Sequence, residues 1–284
     1  MEAQITWYPS PAKINLFLHI TRRYDNGYHQ LQSLFQLLDV GDEIGFEINE
    51  SHHIAIAEQL PGVPEQDNLV YRAAKALQTH AFKNAGCVLH IQKRLPMGGG
   101  IGGGSSNAAT VLLVLNSLWN CKLSLQELAS IGLKLGADVP IFVHGNTAFA
   151  EGVGEVLLPI STPQKWYLVA TPNISVSTKD IFTSADLSRN TPKIDFKQYS
   201  FEKTRNDCQT VVAKTHKEVA NLLQWLVHYA PNAPSRMTGT GASVFAVFDA
   251  KENADKVLHL LPDCYAGFVA KGVDRSCLHL ALGI

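Results

Sequence analysis

The chain has 284 residues, 46% of them hydrophobic, enough for one large domain or two ordinary ones with real cores. Its 24 basic and 25 acidic residues leave a formal charge of -1, so there is no basic footprint for nucleic acid and no acidic tail. No run of about 18 apolar residues suits a membrane helix, and five scattered cysteines without a CxxC pair point to a reducing cytoplasm rather than a disulfide framework.

The opening residues carry Glu2, Lys13 and Asn15 among the apolar ones and do not read as a signal peptide. Residues 12–23 alternate, with Ile14, Leu16, Leu18 and Ile20 on one face and polar Lys13 and Asn15 on the other, which predicts a strand. "DNGYH" (25–29) holds an Asn-Gly turn signal. Residues 41–49 and 86–96 read as strands, and 67–82 as a helix capped near Asp67 or Asn68. A helix is expected over 107–118. A second runs from a Ser124 cap with Glu127 as its capping-box partner to a stop at Gly136.

A strand flanked by prolines follows over 161–173. Residues 175–200 predict a long polar loop with a short helix, of the kind that often carries function. Beyond it lie a helical segment (208–229), a glycine turn before a strand ("GTGASVFAVF"), a helix (252–261) and a last strand (267–273). This tail reads as a small α+β unit. The cysteines are expected to be small buried apolar residues. His52 and His53 are adjacent and no other pair has metal spacing, so no structural zinc is expected.

Six glycines stand within seven residues, Gly98 to Gly104, interrupted only by Ile101. Bare backbone leading into a helix is an anion site: free amides point outward, and the helix dipole adds roughly half a positive charge. Glycines let phosphate oxygens touch the main chain. Ser105 and Ser106 are placed to cap the helix or to reach a phosphate or a metal. No lysine follows the run, so it is not a Walker loop. Residues 98–103 fit the G-x-G-x-x-G dinucleotide pattern, but the acid expected about 20 residues on is missing. "GSSNA" ends in alanine where a hydrolase elbow needs glycine, and the protein-kinase H-R-D and D-F-G signatures are absent. On residues alone, an oxidoreductase and a non-catalytic nucleotide-binding module stay open. Lys13 is then a strand lysine, Asp138 a turn aspartate, Lys93 a strand-end lysine and Asn68 a cap.

Three motifs in order change this. "PMGGGIGGGSSNAA" resembles the phosphate loop of the superfamily named for galactokinase, homoserine kinase, mevalonate kinase and phosphomevalonate kinase. "SPAKINLFLHI" resembles its N-terminal motif, and "MTGTGASVFAVF" its C-terminal glycine motif. With "DNGYHQLQSLFQLLD", "LGADVPIF" and "AFAEGVGE", the likeness narrows to the branch acting on a cytidine diphosphate conjugate of methylerythritol in non-mevalonate isoprenoid synthesis.

The resemblance implies an α+β fold of two domains. An S5-like ATP-binding domain would span 1–160 and a ferredoxin-like substrate domain 161–284, with the active site between them. It implies ATP with Mg²⁺, a small-molecule substrate, a cytoplasmic monomer or weak homodimer, and no nucleic-acid or membrane partner. It assigns catalysis to Lys13 and Asp138, which are expected to approach each other. It places the nucleotide on Pro96, Met97, Gly98, Gly99, Gly100, Ile101, Gly102, Gly103, Gly104, Ser105 and Ser106, with Lys93 and Asn68 nearby and Ser106 as a metal ligand. The substrate falls to Asn15, Tyr28, His29, Thr178, Phe182, Gly239, Thr240 and Gly241. Tyr28 and Phe182 would sandwich a pyrimidine whose edge meets His29. Lys179 stands where the family pattern carries proline.

Overall fold

A computed structural model describes residues 5–25, 27–81 and 84–284. Strand β1 (Thr6–Arg23) pairs antiparallel with β2 (His29–Asn49). The turn expected at 25–29 joins them; Asn26 lies outside the described residues. The polar face expected on β1 is not solvated. Every residue from Ser10 to Ile20 is buried. Irregularities between Pro11 and Lys13, Asn15 and Leu18, and Ile20 and Arg22 break the two-residue period. Ile14 and Leu16 therefore enter one core, and Leu18 and Ile20 another.

Strand β3 (Ile54–Ile56) runs parallel to β4 (Gly86–Gln92), with α1 (Leu69–Gln78) between them in sequence. Helix α1 starts on Asn68, whose Oδ1 accepts from the Val70 amide at 3.0 Å. Its last residues fall short of the expected 82, and Phe82 and Lys83 are not among the described residues. Helices α2 (Gly103–Leu118), α3 (Leu125–Leu135) and α4 (Val139–His144) follow, then β5 (Ala148–Glu151) and β6 (Val156–Pro159). The capping box on α3 forms between Ser124 and Glu127. Helix α2 starts four residues earlier than expected, so Ser105 and Ser106 lie inside its first turns instead of capping it. These helices bury Leu77, Leu112, Leu115 and Phe142 against Phe46 and Leu89 of the sheet.

The second half holds β7 (Trp166–Pro172), α5 (Thr178–Thr183), α6 (Gln209–Thr215), α7 (Lys217–Tyr229), β8 (Ser235–Met237), β9 (Val244–Phe248), α8 (Lys251–Leu258), β10 (Tyr265–Val273) and α9 (Cys277–Leu282). The helix expected over 208–229 is two helices, because His216 adopts an extended backbone. The strands are antiparallel in the order β10-β7-β9-β8, the 4-1-3-2 arrangement of a ferredoxin-like unit. The α+β, two-domain fold expected from the sequence is what is found. The end of β10 also pairs with β2, and Leu278 of α9 returns to the first core. Between the sheets, Ile14, Leu16, Phe17 and Leu34 pack with Tyr167, Val169 and Phe245. Only Cys87 and Cys208 are buried, against the expectation of burial for all five thiols; Cys121 and Cys277 are half-buried and Cys264 is exposed.

Candidate active site

The glycine run crosses from β4 to α2 and lies against the second glycine turn, 238–241. Gly98, Gly100 and Gly102 all have positive φ, which L side chains rarely adopt. At Gly100 there is also no room: a Cβ would stand 2.6 Å from the Thr238 carbonyl oxygen and 2.8 Å from that of Gly241. At Gly102 it would meet the Phe142 ring at 2.7 Å. The two turns are stitched by the Ser243 amide donating to Gly99 O (3.1 Å) and by Thr238 Oγ1 donating to Gly100 O (3.3 Å).

Helix α2 begins on Gly102, which has no side chain to cap it. The amides of Gly103, Gly104 and Ser105 find no partner among the described residues, and no acid stands in the first turn. Uncapped amides and an unopposed dipole make this end an anion site.

Lys13 points to that site from β1 and is only 2% exposed. A buried ammonium without partners costs several kcal/mol, so its contacts must be good. Its Nζ donates to Asn15 Oδ1 at 2.7 Å and Gly100 O at 3.2 Å, and lies 3.0 Å from Asp138 Oδ2. Asp138 occupies the N-cap position of α4 yet makes no capping bond. It forgoes about 1 kcal/mol of helix stabilisation. Its carboxylate faces Lys13 and stays 35% exposed, open to a ligand. The expected approach of Lys13 and Asp138 is present. Asn15 is committed as well, donating from Nδ2 to Ser33 Oγ at 2.7 Å.

Beside this pair, Thr178 Oγ1 at the start of α5 meets Thr240 Oγ1 at 2.9 Å. Gly239 is held by Asn206 Nδ2, which donates to its carbonyl at 2.8 Å. His29 stacks on Phe182, with centroids 5.1 Å apart and 27° between planes. Burial, then the charges of Arg189 and Arg23, hold the His29 imidazole below its ordinary pKa. Arg189 Nε donates to His29 Nε2 at 3.1 Å, so the neutral ring carries its proton on Nδ1. Tyr28 is 64% exposed beside this stack in the chain. Lys179 sits in the first turn of α5, where a proline is also tolerated, so the departure leaves the helix start intact.

Two family models match the chain: the GHMP kinases N-terminal domain over residues 68–146 and the GHMP kinases C-terminal domain over 191–267. The chain is 57% identical, over 98% of its length and 96% of the relative's, to a 4-diphosphocytidyl-2-C-methyl-D-erythritol kinase from Pseudoalteromonas atlantica. It belongs to that family of GHMP kinases. A crystal structure of a 4-(cytidine 5'-diphospho)-2C-methyl-D-erythritol kinase superposes with TM-score 0.83 at 27% identity, over 94% of this chain and all of the other. Homoserine kinase from Cytophaga hutchinsonii shares the fold, with TM-score 0.63 at 14% identity, over 97% of this chain and 96% of the other.

In this GHMP kinase, several site residues had no signal in the sequence. Asp42 and Arg189 are polar residues in unremarkable contexts, and nothing in the glycine motif singles out the partner of Asn107. Their partners lie 65, 97 and 160 residues away in Asp42–Asn107, Ser10–Asn107 and His29–Arg189. Ser106, expected to be a metal ligand, is wholly buried, and its Oγ lies 2.9 Å from Ser10 Oγ, to which it donates because the Ser10 proton goes to Asn107 Oδ1. That hydroxyl does not fit direct ligation. Among the described residues, no group of three or more His, Cys, Asp or Glu side chains could hold a metal ion.

Proposed function

We propose that this protein transfers the γ-phosphoryl group of ATP to the 2-hydroxyl of 4-diphosphocytidyl-2-C-methyl-D-erythritol, a step of non-mevalonate isoprenoid synthesis. The observation that carries the reading is the Lys13–Asp138 contact beside an uncapped, glycine-cradled helix N-terminus.

The triphosphate takes the amides of 103–105 and the backbone of 96–102, with Lys93 and Asn68 at the edge. Lys13 exchanges a resting acceptor for the transferring phosphoryl group or the acceptor oxygen and offsets the charge there. Asp138 receives the proton of the 2-hydroxyl, or orients that hydroxyl in line until a late proton transfer. The new O–P bond forms as the bond to the ADP oxygen breaks, and ADP leaves. Mg²⁺, which takes few protein ligands and favours phosphate oxygens and water, would enter with ATP.

The cytidine ring is read by Tyr28, His29 and Phe182, and the diphosphate lies along Thr178 and 239–241. A neutral His29 with its proton on Nδ1 offers a donor, which suits the acceptor groups of a cytosine edge. We assign the reaction to the cytoplasm, a reading supported by thiols that are all unpaired.

The test is a coupled ADP-release assay with a panel of acceptors: the cytidyl conjugate, homoserine and mevalonate. Phosphorus NMR of the product should show one new phosphomonoester. Turnover of homoserine or mevalonate, with none of the conjugate, would overturn the assignment.

A further inference from the structure

Asp42 lies on β2 opposite Ser10, and its side chain is wholly buried. A carboxylate in that position needs partners on all sides. It accepts from the Arg94 amide at 2.8 Å, the Leu95 amide at 2.9 Å and Asn107 Nδ2 at 3.0 Å, and it pairs with the Lys93 ammonium. Asn107 is oriented in turn, because its Oδ1 accepts from Ser10 Oγ at 2.7 Å.

These contacts have a pattern. Lys93, Arg94 and Leu95 are the residues by which the chain leaves β4 and enters the glycine run. Asn107 lies just past it, in α2. One carboxylate therefore fastens both ends of the loop. It also sets Lys93 at the helix start: Nζ is 3.5 Å from where a Cβ on Gly103 would stand. A carboxylate this near an anion site would repel phosphate if it stood bare. Here the Lys93 charge and three N–H donors cancel it, leaving the amides and the dipole of α2 as the attraction.

We propose that Asp42 is a positioning residue for nucleotide binding, clasping both ends of the glycine run and holding Lys93 where it meets the nucleotide phosphates. This rests on the nucleotide reading of that loop. In Asp42→Asn the amide keeps the shape and accepts from the Arg94 and Leu95 amides. Its NH₂ then faces two other donors, Lys93 and Asn107 Nδ2, and the clasp opens.

A double-mutant cycle of Asp42→Asn and Lys93→Met, read as steady-state constants, tests this. Asp42→Asn should raise the ATP KM by on the order of tenfold. The kcat and the conjugate KM should stay within about twofold. The double variant should raise the ATP KM by clearly less than the product of the two single effects, because part of the Asp42 contribution acts through Lys93. Additive effects, or an unchanged or lowered ATP KM in Asp42→Asn, would overturn the proposal.

Should Asp42→Asn not fold, the wild type still answers. Lysines are dimethylated with ¹³C-formaldehyde, and Lys93→Arg assigns the Lys93 signal. That signal should shift when a non-hydrolysable ATP mimic is added. A mimic that binds without moving it would sink the role of Asp42 while sparing the nucleotide reading. A mimic that does not bind at all would sink both.

Discussion

Lys13 Nζ lies 3.0 Å from Asp138 Oδ2, across a helix start that Asp138 leaves uncapped. A carboxylate that declines its local bond for a distant ammonium is held for that partner. Asp138→Asn keeps the shape and removes the charge and the basicity. It should lower kcat by about 10²-fold or more while the ATP KM moves less than about threefold. Steady-state kinetics check this, with thermal unfolding as the control for fold. Turnover within about tenfold of wild type would be too small a loss for a base.

Arg189 joins the two pieces of the proposed cytidine pocket. Its Nε donates to His29, and its Nη2 donates to the carbonyls of Phe182 (3.0 Å) and Ser184 (2.6 Å). One planar fork thus fixes a tautomer and a loop together, and a lysine cannot span those directions. Arg189→Lys should raise the conjugate KM by roughly tenfold, the scale of one or two lost charge-assisted bonds. The ATP KM should not follow. Initial-rate measurements with each substrate varied in turn separate the two, and equal effects would assign Arg189 to general packing.

The sequence carries those features whose causes are local. The Ser124–Glu127 box, the Asn68 cap and the strand character of 12–23 each depend on neighbours a few residues away. The glycine run reads as an anion site from its own residues, but the need for glycine at Gly100 is set by the carbonyl of Thr238, 138 residues on. The long strand β2 is legible only in its second half, because residues 32–38 are buried on both faces and show no alternation. Short elements such as α4 and α9 are stabilised by the cores they enter, not by their own periodicity. Arg189 has no local signal either: a single arginine in a polar loop is informative only once His29 lies against it.

Four histidines, His19, His29, His144 and His279, are held below their ordinary pKa, in each case chiefly by burial. The folded state resists protonating them, while the unfolded chain accepts protons below about pH 6.5. Stability is therefore complete above that pH and falls as pH drops through the folded values. Unfolding midpoints from pH 8 to 5 should be flat down to about 6.5 and then decline. The slope should correspond to on the order of one or more protons taken up on unfolding. A decline that begins only in the carboxylate range, near pH 4, would contradict this.

Gly62 and Gly100 have nearly the same φ, +75° and +72°, but different surroundings. A Cβ on Gly62 meets nothing within 4 Å, so Gly62→Ala should lose only the left-handed penalty, about 1–2 kcal/mol. At Gly100 the same atom runs into two carbonyl oxygens of the facing turn, neither of which can rotate away as a side-chain end could. Gly100→Ala should therefore cost about 1–3 kcal/mol more, the scale of overpacking, and push the glycine turns apart. Because Gly100 O also accepts from Lys13, the displacement should reach the ammonium and cut kcat, while Gly62→Ala keeps full activity. Denaturant unfolding and steady-state rates on the two variants measure both effects. Equal stability losses would mean that the two turns yield to each other as readily as open solvent does.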